Sequence, residues 1–108
     1  NDMVISGGVN IYPKEIESEL LAFEKVFDCA VFGIPDEEFG EAVAAIIQPV
    51  IGTQLSEAEV REFLADRLAR YKLPKVIEFR DELPRQDTGK IYKRLLRDEF
   101  WKDANRNI

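Results

Sequence analysis

Two apolar stretches separated by a short polar turn constrain the fold of this chain more than any other feature. The first spans residues 26–34 and contains the run Cys29-Ala30-Val31-Phe32, and the second spans residues 42–50. Turn-forming residues end the first stretch, and the turn between the two ends at Gly40. Compact apolar runs bounded in this way are typical of buried strands. Both are therefore predicted to lie in a sheet, with the first as a central strand.

Two amphipathic segments are predicted to cover these strands as helices. Pro13 opens the first helix, at a position where a missing N–H is tolerated. The second begins at Ser56, because Ser56 and Glu59 have the spacing of a capping box, and Pro74 limits its length. The expected buried residues are Ile16, Leu20 and Phe23 in the first helix and Val60, Phe63, Leu64 and Leu68 in the second, with Lys14, Glu17 and Glu24 on the exposed side of the first.

The remaining segments complete the predicted fold. Residues 4–11 are predicted to form two short strands around the Ser6-Gly7-Gly8 turn. Residues 76–80 are predicted to form another short strand, and the apolar spacing of residues 91–100 predicts a C-terminal helix. The predicted fold class is α+β: a small mixed sheet of about three strands with two main helices packed on it, an N-terminal β-hairpin and a C-terminal helix.

Length and composition limit the possible functions. With 108 residues, of which 45% are hydrophobic, the chain can form one domain, residues 1–108. It has no histidine and one cysteine, Cys29, which excludes imidazole catalysis, histidine-ligated metal and an internal disulfide. We interpret Cys29 as a core residue. No apolar run is long enough to span a membrane, and we expect the sequence to begin inside a longer chain.

Charge is distributed unevenly along the chain. The net charge of −6 argues against binding to nucleic acid or anionic lipid. Residues 1–70 contain 5 basic and 14 acidic side chains, whereas residues 71–108 contain 10 basic and 7 acidic ones. The basic last third fits a surface that meets a small anionic ligand, and it also fits a solvated helix face; charge alone favours the second interpretation.

The most distinctive polar segment is the loop at residues 84–90, which ends in Gly89-Lys90 before the predicted C-terminal helix. It is not a nucleotide-binding P-loop, because Pro84 replaces the required glycine and Ile91 replaces the Ser or Thr after the lysine. What remains is a lysine at a glycine hinge. Its ammonium can stabilise a developing phosphoryl or carboxylate anion, or it can be an ordinary surface charge.

Four other residues are ambiguous when each is taken singly. The paired glycines Gly7 and Gly8 permit a tight turn and equally the close approach of a thin ligand. Phe39 and Tyr71 can stack on a base, although such residues more often pack at a rim or in a core.

Three blocks of the sequence together resemble one family. They are NDMVISGGVNIYPKEIES, AVFGIPDEEFGEAVAAIIQP and YKLPKVIEFRDELPRQDTGKIYKRLLRDE. In this order and spacing they are similar to the C-terminal domain of AMP-forming acyl-CoA synthetases, within the adenylate-forming superfamily. The resemblance covers residues 1–99 and implies that the chain is the mobile C-terminal lid of such an enzyme, starting at the interdomain hinge.

The resemblance implies a reaction in two steps. A carboxylic acid reacts with ATP to give an acyl-adenylate and pyrophosphate, and the acyl group then passes to coenzyme A with release of AMP. Lys90 matches the lysine of the adenylation step, which reaches the α-phosphate and the substrate carboxylate. Gly7 and Gly8 match a loop that enters the site after the lid rotates, where small residues leave room for the pantetheine arm. The hinge falls at Asn1, beside Asp2.

Further expectations come from the same resemblance. Phe39, Tyr71 and Lys75 match positions that hold the nucleotide of coenzyme A. ATP and coenzyme A are co-substrates, and Mg²⁺ is expected with ATP on the N-terminal domain, with no cofactor on this domain alone. The expected partners are the N-terminal adenylation domain and a carboxylic or fatty acid, with no nucleic acid, and the expected compartment is the cytoplasm. Lys90 also resembles family lysines that are acetylated, which would remove its charge.

Two alternatives remain open from the sequence. A carrier-protein-loading adenylation domain or an oxidative luciferase would use a very similar lid, and the acyl pocket that distinguishes these enzymes is not expected in this chain. The other alternative is a freestanding α+β binding module whose basic last third docks an acidic protein. Such a module would be indifferent to the residue at position 90.

Overall fold

The two apolar stretches form neighbouring strands of one sheet. The computed structural model describes residues 3–106, with side chains to residue 102 in the last helix. The elements are β1 (Val4–Ser6), β2 (Val9–Ile11), α1 (Pro13–Leu21), β3 (Val26–Asp36), β4 (Gly40–Pro49), α2 (Glu57–Ala65), a 3-10 turn (Arg70–Lys72), β5 (Val76–Phe79) and α3 (Lys93–Arg106). β1 and β2 pair as an antiparallel hairpin, as predicted.

β4 is the middle strand of the three-stranded sheet, whose order is β3-β4-β5. It pairs antiparallel with β3 and parallel with β5, so the sheet is mixed, as predicted. The prediction that residues 26–34 form a central strand is wrong, because β3 lies at an edge. Two of its outer backbone groups are bonded to side chains: Val31 N–H donates to Glu17 (2.9 Å), and the Gly33 carbonyl accepts from Trp101 Nε1–H (2.8 Å).

Helices cover both faces of the sheet. Alternate residues of a strand point to opposite faces, so Val31 packs beneath α1 and α2, whereas Phe32 packs beneath α3. The buried helical residues on the first face are Ile16, Leu20, Val60 and Leu64. On the second face Leu96 is fully buried, and truncating a side chain of this kind costs about 2–5 kcal/mol. This packing holds α3, and with it the preceding loop, against the sheet.

The predicted starts of α1 and α2 are confirmed, whereas the end of α2 and the start of α3 differ from the prediction. α1 begins at Pro13, and α2 has a capping box in which Ser56 Oγ accepts from Glu59 N–H (3.1 Å) while Glu59 accepts from Ser56 N–H (3.0 Å). α2 ends before Leu68, which is nevertheless buried, and α3 begins at Lys93. None of the helices within residues 3–106 combines the length and the apolar character needed to cross a membrane.

Candidate functional site

Lys90 follows a tight hairpin turn that fixes its backbone. Gly89 N–H donates to the Gln86 carbonyl (2.8 Å), and Gln86 N–H donates to the Lys90 carbonyl (2.8 Å). Arg85 and Ile91 close the turn as an isolated antiparallel bridge. Gly89 has a φ of 90°, which residues with a side chain rarely adopt. The turn therefore requires the glycine, and the lysine stands at its exit.

The Lys90 side chain is exposed at a groove between α1, β3 and the start of α3. The groove is open to solvent and has a volume of about 1370 Å³. Its other basic lining residues are Lys14, Arg85, Lys93, Arg94 and Arg97. Among the side chains described for residues 3–102, none forms an ion pair with the Lys90 ammonium. Its positive charge is therefore available to an anion from outside the chain.

Arg85 ties the Lys90 turn to β3. Its Nη1 donates to the Gly89 carbonyl (3.0 Å), and its Nη2 donates to the Asp28 carboxylate (2.8 Å). Asp28 is not among the site residues predicted from the sequence, because Asp28 and Arg85 are 57 positions apart and no local pattern links them. The one available signal is that Asp28 is the acidic residue within the apolar stretch of residues 26–34.

Glu17 joins α1, β3 and α3 at the side of the groove. Its Oε2 accepts from Val31 N–H (2.9 Å) and from the Lys93 ammonium (2.8 Å). The expectation that Glu17 is exposed is wrong, since its side chain is only 20% exposed. The helical pattern placed it outside the apolar stripe, but it could not show that the edge of β3 lies beside it. The ion pair to Lys93 anchors the first turn of α3, close to Lys90.

A second group of predicted residues meets at the turn between β3 and β4. Gly7 N–H donates to the Phe39 carbonyl (2.9 Å), and Phe39 N–H donates to the Asp36 carboxylate (2.9 Å). The Lys75 ammonium donates to the other Asp36 oxygen. This ion pair lowers the pKa of Asp36 and raises that of Lys75. The structure thus brings Gly7, Phe39 and Lys75 together and adds Asp36, which was not predicted from the sequence.

Gly8 presents open space beside this group. Gly7 and Gly8 have φ values of 56° and 84°, typical of a type I′ hairpin turn. No atom lies within 4 Å of the position that a Cβ would occupy on Gly8. The Phe39 side chain nearby is 49% exposed. A glycine turn beside an exposed ring is a surface on which a thin ligand can lie.

Tyr71 is not linked to this group. Its side chain is 55% exposed on the 3-10 turn, with the Lys72 ammonium 5.6 Å from the ring centre. Within residues 3–102, no hydrogen bond, ion pair or ring contact joins Tyr71 to Phe39 or Lys75. Its predicted role in binding therefore depends on the ligand spanning both places.

The thiol of Cys29 and the predicted hinge residues Asn1 and Asp2 are the remaining candidates from the sequence. Cys29 is buried, as predicted, and burial together with the charges of Glu17 and Asp28 raises its pKa to about 12. It is a core residue and not a nucleophile. The predicted hinge residues Asn1 and Asp2 lie outside the described residues.

The sequence of this chain matches one protein family and several individual ligases. Residues 15–90 match the family described as AMP-binding enzyme C-terminal domain. The chain is 48% identical over 99 residues to the long-chain-fatty-acid–CoA ligase FadD13 of Mycobacterium tuberculosis, covering 92% of this chain and 20% of that protein. It is 42% identical over 107 residues to the fatty acid–[acyl-carrier-protein] ligase ScoC of Streptomyces coeruleorubidus, covering 99% of this chain and 21% of that protein.

The fold also matches solved structures. The crystal structure of ATP-bound MatB from Rhodopseudomonas palustris superposes with a TM-score of 0.87 at 46% identity, covering 95% of this chain and 20% of that one. The chain thus spans about a fifth of the length of the relatives it matches. The family match includes Lys90 and the three strands β3, β4 and β5. The chain belongs to the family of AMP-binding enzyme C-terminal domains.

Proposed function

We propose that this chain is the lid of an ATP-dependent, AMP-forming acyl-CoA synthetase and that Lys90 acts in its adenylation step. The observation that carries the proposal is the exposed Lys90 ammonium, which stands at the exit of a fixed turn with no ion-pair partner among the side chains of residues 3–102. In this step the carboxylate attacks the α-phosphate of ATP, and pyrophosphate leaves. Negative charge builds up on the transferring group, and a positioned ammonium stabilises it more in the transition state than in the ground state.

For the second step we propose that the lid rotates and presents the group around Gly8. The acyl group then passes from the adenylate to the thiol of coenzyme A, and AMP is released. The open space beside Gly8 supports passage of the pantetheine arm there. Phe39 and Tyr71 have exposed rings that supply surfaces for the nucleotide of coenzyme A. The exposed Lys75 ammonium, which also pairs with Asp36, supplies hydrogen-bond donors beside them.

The proposed lid works with an N-terminal adenylation domain as its partner. ATP, Mg²⁺ and the carboxylic or fatty acid bind on that domain, in a cytoplasmic enzyme. The lid contributes one charge and one loop to a site that it does not itself enclose. We therefore expect the 108 residues alone to form neither acyl-adenylate nor thioester.

The test uses the full-length ligase that carries this chain. Lys90→Ala is expected to slow adenylate formation about 10²–10³-fold, as measured by ATP–pyrophosphate exchange. Thioester formation from supplied acyl-adenylate should stay near the wild-type rate. Lys102→Ala is the matched control, because Lys102 is exposed and does not line the groove. Equal losses in both steps would contradict the proposal, and unchanged rates would show that Lys90 takes no part in adenylate formation.

The similarity to ScoC favours a second candidate, in which the thiol acceptor is a carrier protein. Coenzyme A and a carrier protein bear the same pantetheine arm, so the surface around Gly8 suits both. Supplying acyl-adenylate with each acceptor in turn distinguishes them. Faster transfer to the carrier protein would replace coenzyme A in the proposal and leave the role of Lys90 unchanged.

A further inference from the structure

We propose that Arg85 and Asp28 are positioning residues that fix the direction in which Lys90 leaves the turn. The inference rests on the proposed function of Lys90 in adenylate formation. Neither residue is proposed to touch the substrate. They act through the backbone of Gly89, the residue before the lysine.

The guanidinium of Arg85 bridges two elements. Nη1 donates to the Gly89 carbonyl (3.0 Å), and Nη2 donates to Asp28 Oδ2 (2.8 Å). A planar guanidinium offers two donors in a fixed geometry, so one side chain sets the distance between the strand and the turn. The Gly89 carbonyl belongs to the peptide unit that leads into Lys90, and its orientation determines where the Lys90 Cα lies.

The fold places Asp28 for this contact. The register of β3 against β4 shifts between Val26 and Asp28, with Phe27 as the additional residue. Val26 consequently packs on the face beneath α1 and α2, whereas Asp28 shares the opposite face with Ala30 and reaches Arg85. Without the shift, Val26 and Asp28 would point to the same face. The second oxygen of Asp28 accepts from the N–H of the following residue, Cys29 (2.9 Å).

The Lys90 backbone is thereby held on both sides, while its side chain stays exposed. The preceding carbonyl, of Gly89, is bonded to Arg85, and its own carbonyl accepts from Gln86 N–H (2.8 Å). Arg85 and Asp28 remain 35% and 26% exposed. Partly exposed ion pairs add little to stability. Loss of the pair should therefore change the geometry of Lys90 much more than it changes the unfolding of the domain.

The experiment uses the full-length ligase and begins with Lys90→Ala. If that variant forms adenylate at the wild-type rate, the proposed function fails, and no Arg85 variant is needed to show it. If Lys90→Ala is slow, Arg85→Met is expected to lower kcat for adenylate formation about 10- to 100-fold, because small misplacements of a catalytic group have effects of this size. KM values for ATP and the acid, and the rate of thioester formation from supplied adenylate, should stay near wild type.

A double-mutant cycle tests the pair itself. Asp28→Asn should slow adenylate formation less than Arg85→Met, and the double variant should be no slower than Arg85→Met alone. Arg85→Lys, which restores a donor at the same place, should recover part of the rate. Additive losses would overturn the inference, because they would show that Arg85 and Asp28 act independently. A raised KM for ATP as the main effect would also overturn it, because it would place Arg85 on the substrate.

Arg80→Met is the matched control. Arg80 is 33% exposed and donates to Glu99 (2.9 Å) in a comparable ion pair, but it makes no hydrogen bond to the Lys90 turn among the described residues. It should leave both half-reactions unchanged. If Arg80→Met slows adenylate formation as much as Arg85→Met does, the effect is a general loss of structure, and the positioning role is refuted.

Discussion

The backbone N–H of Gly7 donates to the carbonyl of Phe39 at 2.9 Å, so the turn of the N-terminal hairpin is bonded to the turn between β3 and β4. A Cβ atom on Gly7 would lie 3.0 Å from Phe39 Cδ1. With the ring in this orientation, a side chain at position 7 would press on it. Phe39 N–H in turn donates to the Asp36 carboxylate, which is also bonded to the Lys75 ammonium. Two turns far apart in sequence thus form one surface.

Gly7→Ala is expected to destabilise the chain more than Gly8→Ala. Both glycines have positive φ, which costs a residue with a Cβ about 1–2 kcal/mol. At Gly7 the added methyl must also displace the Phe39 ring, whereas at Gly8 it meets nothing within 4 Å. Urea unfolding of the two variants measures the difference. Equal losses would show that the ring yields without cost and that the contact does not constrain the turn.

The ion pair between Asp36 and Lys75 is expected to make the unfolding free energy fall in acid. Lys75 and then Phe39 N–H lower the pKa of Asp36 in the folded chain. The contribution is therefore present above the ordinary carboxyl pKa of 3.8 and is lost as the pH falls through the lowered folded value. The difference between wild type and Asp36→Asn should shrink as urea titrations move from pH 7 to pH 3.

The control for the acid experiment is Glu37→Gln, which neutralises an exposed carboxylate next to Asp36 but outside the ion pair. Its unfolding free energy should follow that of wild type across the same pH range. If Glu37→Gln and Asp36→Asn have the same acid profile, net charge and not the Asp36–Lys75 pair governs the acid dependence.

Cys29 is expected to make the folded chain less stable at alkaline pH. Burial, assisted by Glu17 and Asp28, raises the pKa of its thiol from 9.0 to about 12. The unfolded thiol ionises first, so the contribution of the buried thiol is fully present below pH 9 and is lost as the pH rises towards 12. Cys29→Ala removes this dependence. Its unfolding free energy should vary less with pH than that of wild type between pH 8 and about 10, and parallel curves would contradict the assignment.

The elements that the sequence predicted correctly depend on contacts between near neighbours. Pro13 at a helix start, the Ser56–Glu59 capping box and the glycine hairpin turn each require only a few adjacent residues. The position of β3 in the sheet depends instead on which strands pair with it. Its apolar pattern reflects burial of both faces, and an edge strand covered by Glu17 and Trp101 has the same pattern as a central one.

The candidate site divides in the same way. Lys90 and Gly7 stand in motifs that can be recognised in sequence, but their supporting partners do not. Asp28 reaches Arg85 across 57 positions, and Asp36 reaches Lys75 across 39. Such contacts are determined by sheet register and by turns that meet in space. A single sequence gives no sign of them except an isolated acidic residue in a strand.

A bulky side chain at Gly8 should slow thioester formation more than adenylate formation in the full-length ligase. Gly8 has a φ of 84° and open space around it, so a variant side chain projects outward from an intact hairpin. Asparagine tolerates positive φ, which makes Gly8→Asn the control for the backbone and Gly8→Arg the variant that fills the space. We expect Gly8→Arg to slow transfer from supplied acyl-adenylate about tenfold relative to Gly8→Asn, which corresponds to about 1.4 kcal/mol in the barrier. ATP–pyrophosphate exchange should be similar in the two variants. Equal slowing of both steps, with unchanged unfolding midpoints, would mean that the space beside Gly8 does not serve the thiol.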